Sequence, residues 1–131
     1  VSMPLQYFDK QALIEINKTA VQISGDPHGV INEGNLDHIV DAVKYKYEGE
    51  ADEVVLKAAF LLDYLANKGH VFIEGNKRTA EIATILFLVM NNWSFMEKDQ
   101  RALADFVLSV AKNEKSISSI SKWLKERIKA R

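Results

Sequence analysis

The sequence contains no cysteine, so it can form neither a disulfide nor a thiolate metal site. It also has no long apolar run: the longest nearly apolar stretch, Ile82 to Met90, is far shorter than the roughly 20 residues that a membrane-spanning helix needs. No basic segment followed by an apolar one opens the chain, so no signal peptide is expected. These absences favour a protein of the cytoplasm.

Glycine and proline are scarce, and their positions are informative. The six glycines and two prolines all fall between segments whose apolar residues recur at helical spacing. This agreement predicts an all-α fold, a single compact bundle of about six helices around a nearly apolar central helix, formed by one domain over residues 1–131. The predicted helices cover residues 9–23, 35–45, 52–68, 76–91, 98–112 and 117–129. The third has almost no polar face and is expected to be central.

The charge is nearly balanced overall but unevenly distributed. Lys and Arg number 17 against 18 Asp and Glu, yet residues 112–131 alone carry seven basic and two acidic side chains. One interpretation is a basic surface for an anionic partner such as nucleic acid. The other is a solvated helix face whose cations lie near a helix C-terminus. The second is favoured because the same segment has an apolar stripe to bury, so nucleic-acid binding is not expected.

One segment between two predicted helices concentrates polar side chains. Residues 70–79 read His-Val-Phe-Ile-Glu-Gly-Asn-Lys-Arg-Thr. If a helix begins near Asn76, the free backbone N–H groups of its first turn form an anion site. Gly75 would let an oxyanion approach the backbone, and Lys77 and Arg78 would add positive charge. The pattern is typical of a site that handles phosphate.

The remaining residues of this segment indicate what could be done with a phosphate. Glu74 would be out of place beside phosphates without a bridging cation, and Mg²⁺ held by one carboxylate and by substrate phosphates meets that need. Imidazole titrates near neutral pH, so His70 suits a general base for a hydroxyl nucleophile. Phe72 is expected to hold the segment to the core. Taken singly, each residue has an ordinary structural explanation, such as a helix cap for Asn76. The whole set favours an active site.

The segment resembles the signature of the Fic/Doc family, His-Pro-Phe-x-x-Gly-Asn-Gly-Arg with a second arginine three positions on. Val71 replaces the proline, Lys77 replaces the second glycine, and Glu81 stands where the second arginine would be. A lysine at that glycine position, in a run like residues 76–79, is typical of the Doc branch. Residues 29–36 also resemble the Doc-type segment that links the first two helices.

This resemblance implies a role for each residue of the segment. His70 would deprotonate a hydroxyl of a target protein, Glu74 would hold Mg²⁺, and Phe72 would support the loop. The phosphates of ATP would be bound by Gly75, Asn76, Lys77 and Arg78.

The resemblance leaves two reactions open. Fic proteins usually transfer AMP from ATP to a protein hydroxyl, whereas Doc-type proteins transfer the γ-phosphate, and the Doc toxin acts on elongation factor Tu and arrests translation. The long side chain of Lys77 would crowd the anion pocket and move a phosphate, and Glu81 removes a contact of the AMP-transferring mode. Phosphoryl transfer is therefore favoured. The alternatives are AMP transfer and a catalytically silent helical module that binds a partner.

The sequence also bears on how such a protein would be controlled. Many Fic proteins carry an inhibitory Ser/Thr-x-x-x-Glu-Gly/Asn pattern. The residues four before the glutamate of each Glu-Gly pair here are Gly29, Lys44 and His70, so no pair fits. A separate antitoxin protein is therefore expected. Residues 46–51 occupy the place of the family's target-aligning flap, but their composition indicates only an exposed loop.

Overall fold

The computed structural model describes residues 4–96, 98 and 100–131 of the chain. Within these residues there are six α-helices and two short strands. The helices are α1 (Lys10–Gln22), α2 (Glu33–Tyr45), α3 (Glu53–Asp63), α4 (Asn76–Met90), α5 (Gln100–Ala111) and α6 (Ile117–Lys125). The strands are β1 (Trp93–Phe95) and β2 (Ile128–Ala130), which pair antiparallel. The predicted all-α fold is confirmed. The predicted domain of residues 1–131 includes residues 1–3, 97 and 99, which lie outside the described part.

Three helices, α1, α2 and α6, begin where a side-chain oxygen accepts a free N–H group of the first turn. Asp9 accepts from the Ala12 N–H at 2.8 Å and caps α1, and Ser116 accepts from the Ser119 N–H at 3.1 Å and caps α6. The second helix begins two residues earlier than predicted. Its N-cap is Asn32, which has an extended backbone, and α2 begins at the next residue, Glu33.

The core lies where α3 packs against both α4 and α6, while α1 packs against α4. The prediction that the third helix is central is confirmed, since Ala58, Ala59 and Leu62 have no exposed surface. Its nearly apolar appearance hides a buried cation, Lys57, which sequence analysis missed. In the described part of the chain, no helix is both long enough and apolar enough to cross a membrane.

The predicted third helix continues to Lys68, but its last five residues form a π-helical turn (Tyr64–Lys68). The Gly69 N–H donates to the Tyr64 carbonyl at 2.8 Å and closes this turn. A Cβ on residue 69 would lie 2.5 Å from Tyr64 Cε2, so the Tyr64 ring requires a glycine there. π-Turns occur often beside functional sites, and this one ends at Lys68, two residues before His70.

The predicted last helix is too long. It ends at Lys125, and residues 128–130 form β2 instead, with Ile128 opposite Phe95 and Ala130 opposite Trp93. The helical periodicity could not show this, because Ile128 packs against the core in either conformation and its partner strand lies far away in sequence. Two of the seven basic side chains, Lys122 and Lys125, lie in the last turn of α6, and the Lys125 Nζ contacts Asp52 Oδ2 at 2.8 Å.

Candidate active site

The loop of residues 70–75 connects the π-helical turn to α4 and forms backbone hydrogen bonds with the segment that precedes α2. The Ile31 N–H donates to the Val71 carbonyl at 2.8 Å, and the Ile73 N–H donates to the Gly29 carbonyl at 3.0 Å. Val30 and Phe72 form an isolated antiparallel bridge. Residues 71–73 do not form a named strand, but this pairing holds the loop against the segment that precedes α2.

The amide of Asn76 closes the loop on itself. Its Oδ1 accepts the Phe72 N–H at 3.0 Å, and its Nδ2 donates to the Phe72 carbonyl at 2.9 Å. The Phe72 side chain is only 2% exposed and belongs to the core cluster. These two bonds fix where α4 begins relative to the buried ring. One Nδ2 hydrogen of Asn76 remains for another acceptor.

Sequence analysis missed Asn17, which holds the loop from beneath. This α1 residue is 1% exposed, and its Nδ2 donates to the Glu74 carbonyl at 2.8 Å and to Thr79 Oγ1 at 3.1 Å. Its Oδ1 accepts the Gly29 N–H at 3.3 Å. The amide therefore joins α1, the segment before α2, the loop and α4. The available signal was an amide next to Ile16 on the apolar face of the first predicted helix.

Gly75 has a structural reason to be glycine. Its φ is +77°, and a Cβ there would lie 2.6 Å from Val21 Cγ1. A left-handed backbone and the close approach of α1 both exclude a side chain. Gly75 was expected to leave room for an oxyanion because it lacks a Cβ, but Val21 occupies that room. Any anion at Gly75 has to approach from the other side of the backbone.

A cleft of about 410 Å³ opens where the loop, the first turn of α4 and the end of α1 meet. Its lining includes Glu74, Gly75, Asn76, Lys77 and Arg78, so five of the predicted site residues share one cleft. The remaining lining residues are Ala20, Val21, Ile23, Ser24 and Asp26.

His70 is exposed and does not line this cleft. Its φ of 44° is unusual for a residue with a side chain and is strained. The Asn35 Nδ2 donates to the Gly69 carbonyl at 2.6 Å, which holds the backbone immediately before it. A strained residue kept in place by its neighbours is typical of functional sites.

Comparison with known proteins identifies the family of this chain. The model of the Fic/DOC family matches residues 7–88, more than half of the chain. The chain belongs to the Fic/DOC family. It is also 27% identical over 123 residues to the protein kinase Doc of Escherichia phage P1, across 92% of this chain and 94% of that protein. Family membership covers α1 to α4, and therefore every residue predicted for the site.

The residue in place of the second Fic arginine faces a different cleft. Glu81 lies on α4 and lines a cleft of about 310 Å³ with Arg78 and mainly apolar side chains, among them Ile82 and Leu86. Burial raises the pKa of the Glu81 carboxyl, and Arg78 opposes that rise. Arg78 lines both clefts, whereas Lys77 lines only the one at the loop.

The carboxylate in the cleft bears on whether the site fits Mg²⁺. Among the described residues there is no group of three or more His, Asp or Glu that could hold a metal ion by themselves. Glu74 is exposed and lines the cleft beside Lys77 and Arg78. One carboxylate fits Mg²⁺, which usually keeps several waters and takes its other ligands from substrate phosphates.

Proposed function

We propose that this protein transfers a phosphoryl group from ATP to a Ser or Thr hydroxyl of a target protein, with Mg²⁺ bound at Glu74. The cleft at the N-terminus of α4 carries the proposal, because there a carboxylate lies beside Lys77, Arg78 and the free N–H groups of a helix end. The relative named as a protein kinase and the family membership support the same class of reaction.

The phosphates of ATP would lie over the start of α4. The backbone of Gly75 and the remaining amide hydrogen of Asn76 would donate to phosphate oxygens, while Lys77 and Arg78 would supply the charge. Phe72, buried in the core, keeps the loop in position. When bound, Mg²⁺ would neutralise part of the phosphate charge.

The transfer requires a base for the hydroxyl proton and positive charge beside the phosphate oxygens. The hydroxyl oxygen of the target attacks the γ-phosphorus, the bond to the bridging oxygen of the β-phosphate breaks, and ADP leaves. His70 is exposed, so a target hydroxyl can reach it, and its imidazole takes the hydroxyl proton. Lys77 and Arg78 stabilise the charge that develops on the phosphate oxygens.

Two departures from the Fic signature favour γ-phosphate transfer over AMP transfer. Lys77 lines the cleft where Fic proteins have glycine, so its side chain takes space that a phosphate would otherwise use. Glu81 stands where the second arginine would be and lines the neighbouring cleft. The cation that would assist AMP transfer is therefore missing from that position.

The resemblance to the Doc branch extends the proposal to partners. The target would be elongation factor Tu, and its modification in the cytoplasm would block translation. The protein would be the toxin of a toxin–antitoxin pair. A separate antitoxin would inhibit it, since the chain contains no inhibitory motif of the Fic type.

The experiment uses ATP labelled on either the α- or the γ-phosphate, with Mg²⁺ and a lysate that contains possible targets. We expect γ-label on a protein target and no α-label. His70→Ala should reduce labelling of the target about a thousandfold or more, because the target hydroxyl loses its base. The matched control is His28→Ala, which removes an exposed histidine outside the cleft and should leave labelling unchanged.

The alternatives give different results in the same experiment. α-Label on the target would identify AMP transfer, and no His70-dependent label with either ATP would contradict both reactions. Lys77→Gly should shift labelling from γ to α. Unchanged γ-transfer in that variant would contradict the role given to Lys77.

A further inference from the structure

The cleft at the start of α4 is lined by two sets of residues from different parts of the fold. Lys77 and Arg78 lie in the first turn of α4, and we call them the cationic end. Ile23, Ser24 and Asp26 follow α1, and we call them the α1 end. The last turn of α1 approaches the loop at Val21, whose Cγ1 would lie 2.6 Å from a Cβ on Gly75.

The side chains of the α1 end are exposed and differ in chemistry from those of the cationic end. Ile23 is 87% exposed, the most exposed large apolar side chain in the described part of the protein. Ser24 is committed to the turn, since its Oγ donates to the Val21 carbonyl at 3.1 Å and accepts the Asp26 N–H at 3.4 Å. The Asp26 carboxylate has no hydrogen-bond or ion-pair partner among the described residues.

From this arrangement we infer that the α1 end binds the nucleoside of the phosphate donor, and that Asp26 accepts hydrogen bonds from the ribose hydroxyls. The inference rests on the proposed function, because it assigns the second half of the same ligand. Ile23 would pack against the flat face of the base.

Charge and shape both favour this occupant. A free carboxylate repels phosphates, so they belong at the cationic end, and the uncharged part of a nucleotide remains for the α1 end. A carboxylate offers two acceptor oxygens to two neighbouring hydroxyls, a pairing that acidic residues make with ribose in dinucleotide sites. The volume of about 410 Å³ lies within the range of small-molecule sites, roughly 300–1,000 Å³.

The test measures binding to the intact protein by calorimetry with Mg²⁺ and three ligands: ATP, 2′-deoxy-ATP and inorganic tripolyphosphate. Asp26→Ala should weaken ATP binding about tenfold and make ATP and 2′-deoxy-ATP bind equally. Tripolyphosphate binding should stay the same or tighten, because the variant removes a negative charge. Ile23→Ala should weaken both nucleotides about threefold and leave tripolyphosphate unchanged.

The control and the opposite outcomes separate this inference from the proposed function. Asp41→Ala removes an exposed carboxylate of α2 outside the cleft and should change none of the three affinities. If the protein binds ATP and tripolyphosphate but Asp26→Ala leaves the ATP to 2′-deoxy-ATP ratio unchanged, the nucleoside site is refuted and the proposed function survives. If the unmodified protein binds neither ligand, both are refuted.

Discussion

Asn17 and Lys57 are both buried polar residues on helices that bury apolar faces, yet they stabilise different regions. The Asn17 amide bonds to groups of Glu74, Thr79 and Gly29, all of which surround the cleft. The Lys57 ammonium instead donates to the last carbonyls of α2, at 2.6 and 2.9 Å. One residue serves the candidate site and the other serves the packing of two helices.

The difference follows from what each group can bond. An amide both donates and accepts, so Asn17 can fix three segments relative to one another, including the backbone that carries Glu74. An ammonium only donates, so Lys57 can bond only to acceptors, which are the two carbonyls at the end of α2 and, at 3.6 Å, the Glu53 carboxylate. Burial lowers the pKa of Lys57, and the nearby Glu53 carboxylate opposes that effect. Loss of Asn17 should therefore lower both the stability of the fold and the activity of each folded molecule, whereas loss of Lys57 should lower stability alone.

Gly75→Ala should have the largest effect on stability. It disrupts the contact between α1 and the loop, on which the Asn17 hydrogen bonds depend. The new Cβ would meet Val21 Cγ1 at 2.6 Å and the backbone has a positive φ, so we expect a loss of about 4 kcal/mol of unfolding free energy. Gly25→Ala is the matched control, with φ of +75° and nothing within 4 Å of the added carbon. It should cost about 1 kcal/mol in denaturant unfolding. Equal costs would contradict the close packing.

Asn17→Ala should cost about 3 kcal/mol, because the Glu74 carbonyl and the Gly29 N–H lose their partner in a buried place. We also expect at least a tenfold fall in γ-phosphate transfer per folded molecule, since the backbone of Glu74 is released. The Mg²⁺ concentration for half-maximal activity should rise. Activity and metal dependence that match the unmodified protein at equal folded concentration would show that Asn17 is only structural.

Lys57→Met keeps most of the side-chain volume but leaves the Val43 and Lys44 carbonyls without their donor. A loss of about 2 kcal/mol is expected, smaller than for Asn17 because the variant also removes a buried charge. Label transfer per folded molecule should be unchanged. A loss of activity as large as that of Asn17→Ala would remove the distinction between the two residues.

The smallest effect on stability is expected for a substitution of Glu81, which is only half-buried. Burial raises its pKa above the ordinary value of 4.5, so the folded protein holds this proton more tightly than the unfolded chain. Stability contributed by Glu81 is therefore present at low pH and lost as pH rises from 4.5 through the folded pKa. Glu81→Gln should flatten that part of the stability profile. The exposed Glu114→Gln should leave it unchanged.

Much of the fold could be predicted because helix limits depend on local chemistry. Asp9 and Ser116 cap helices through bonds to residues three positions on, and Gly69 and Gly75 interrupt the apolar periodicity at the loop. The candidate site could be proposed for the same reason. Its polar residues lie within one short segment, so their closeness along the chain was visible without the fold.

What was missed involves partners that are distant in sequence. Asn17 bonds to a carbonyl 57 residues away, and helical periodicity treats it only as an interruption of an apolar face. Lys57 was missed because it stands among apolar residues in the sequence, while the carbonyls that accept its hydrogen bonds lie 13 and 14 residues away, at the end of α2. The final strand was predicted as helix because Ile128 finds its partner, Phe95, only in the folded protein.

The amino-acid sequence by itself determined the helices, the breaks between them and the polar loop of residues 70–79, because these follow from capping, periodicity and close spacing along the chain. Only the tertiary structure decided that Val21 lies against Gly75, that Asn17 holds Glu74 and that Asp26 shares a cleft with Arg78. Each of these depends on two helices approaching each other. The packing of the whole core sets that distance, and no local pattern contains it.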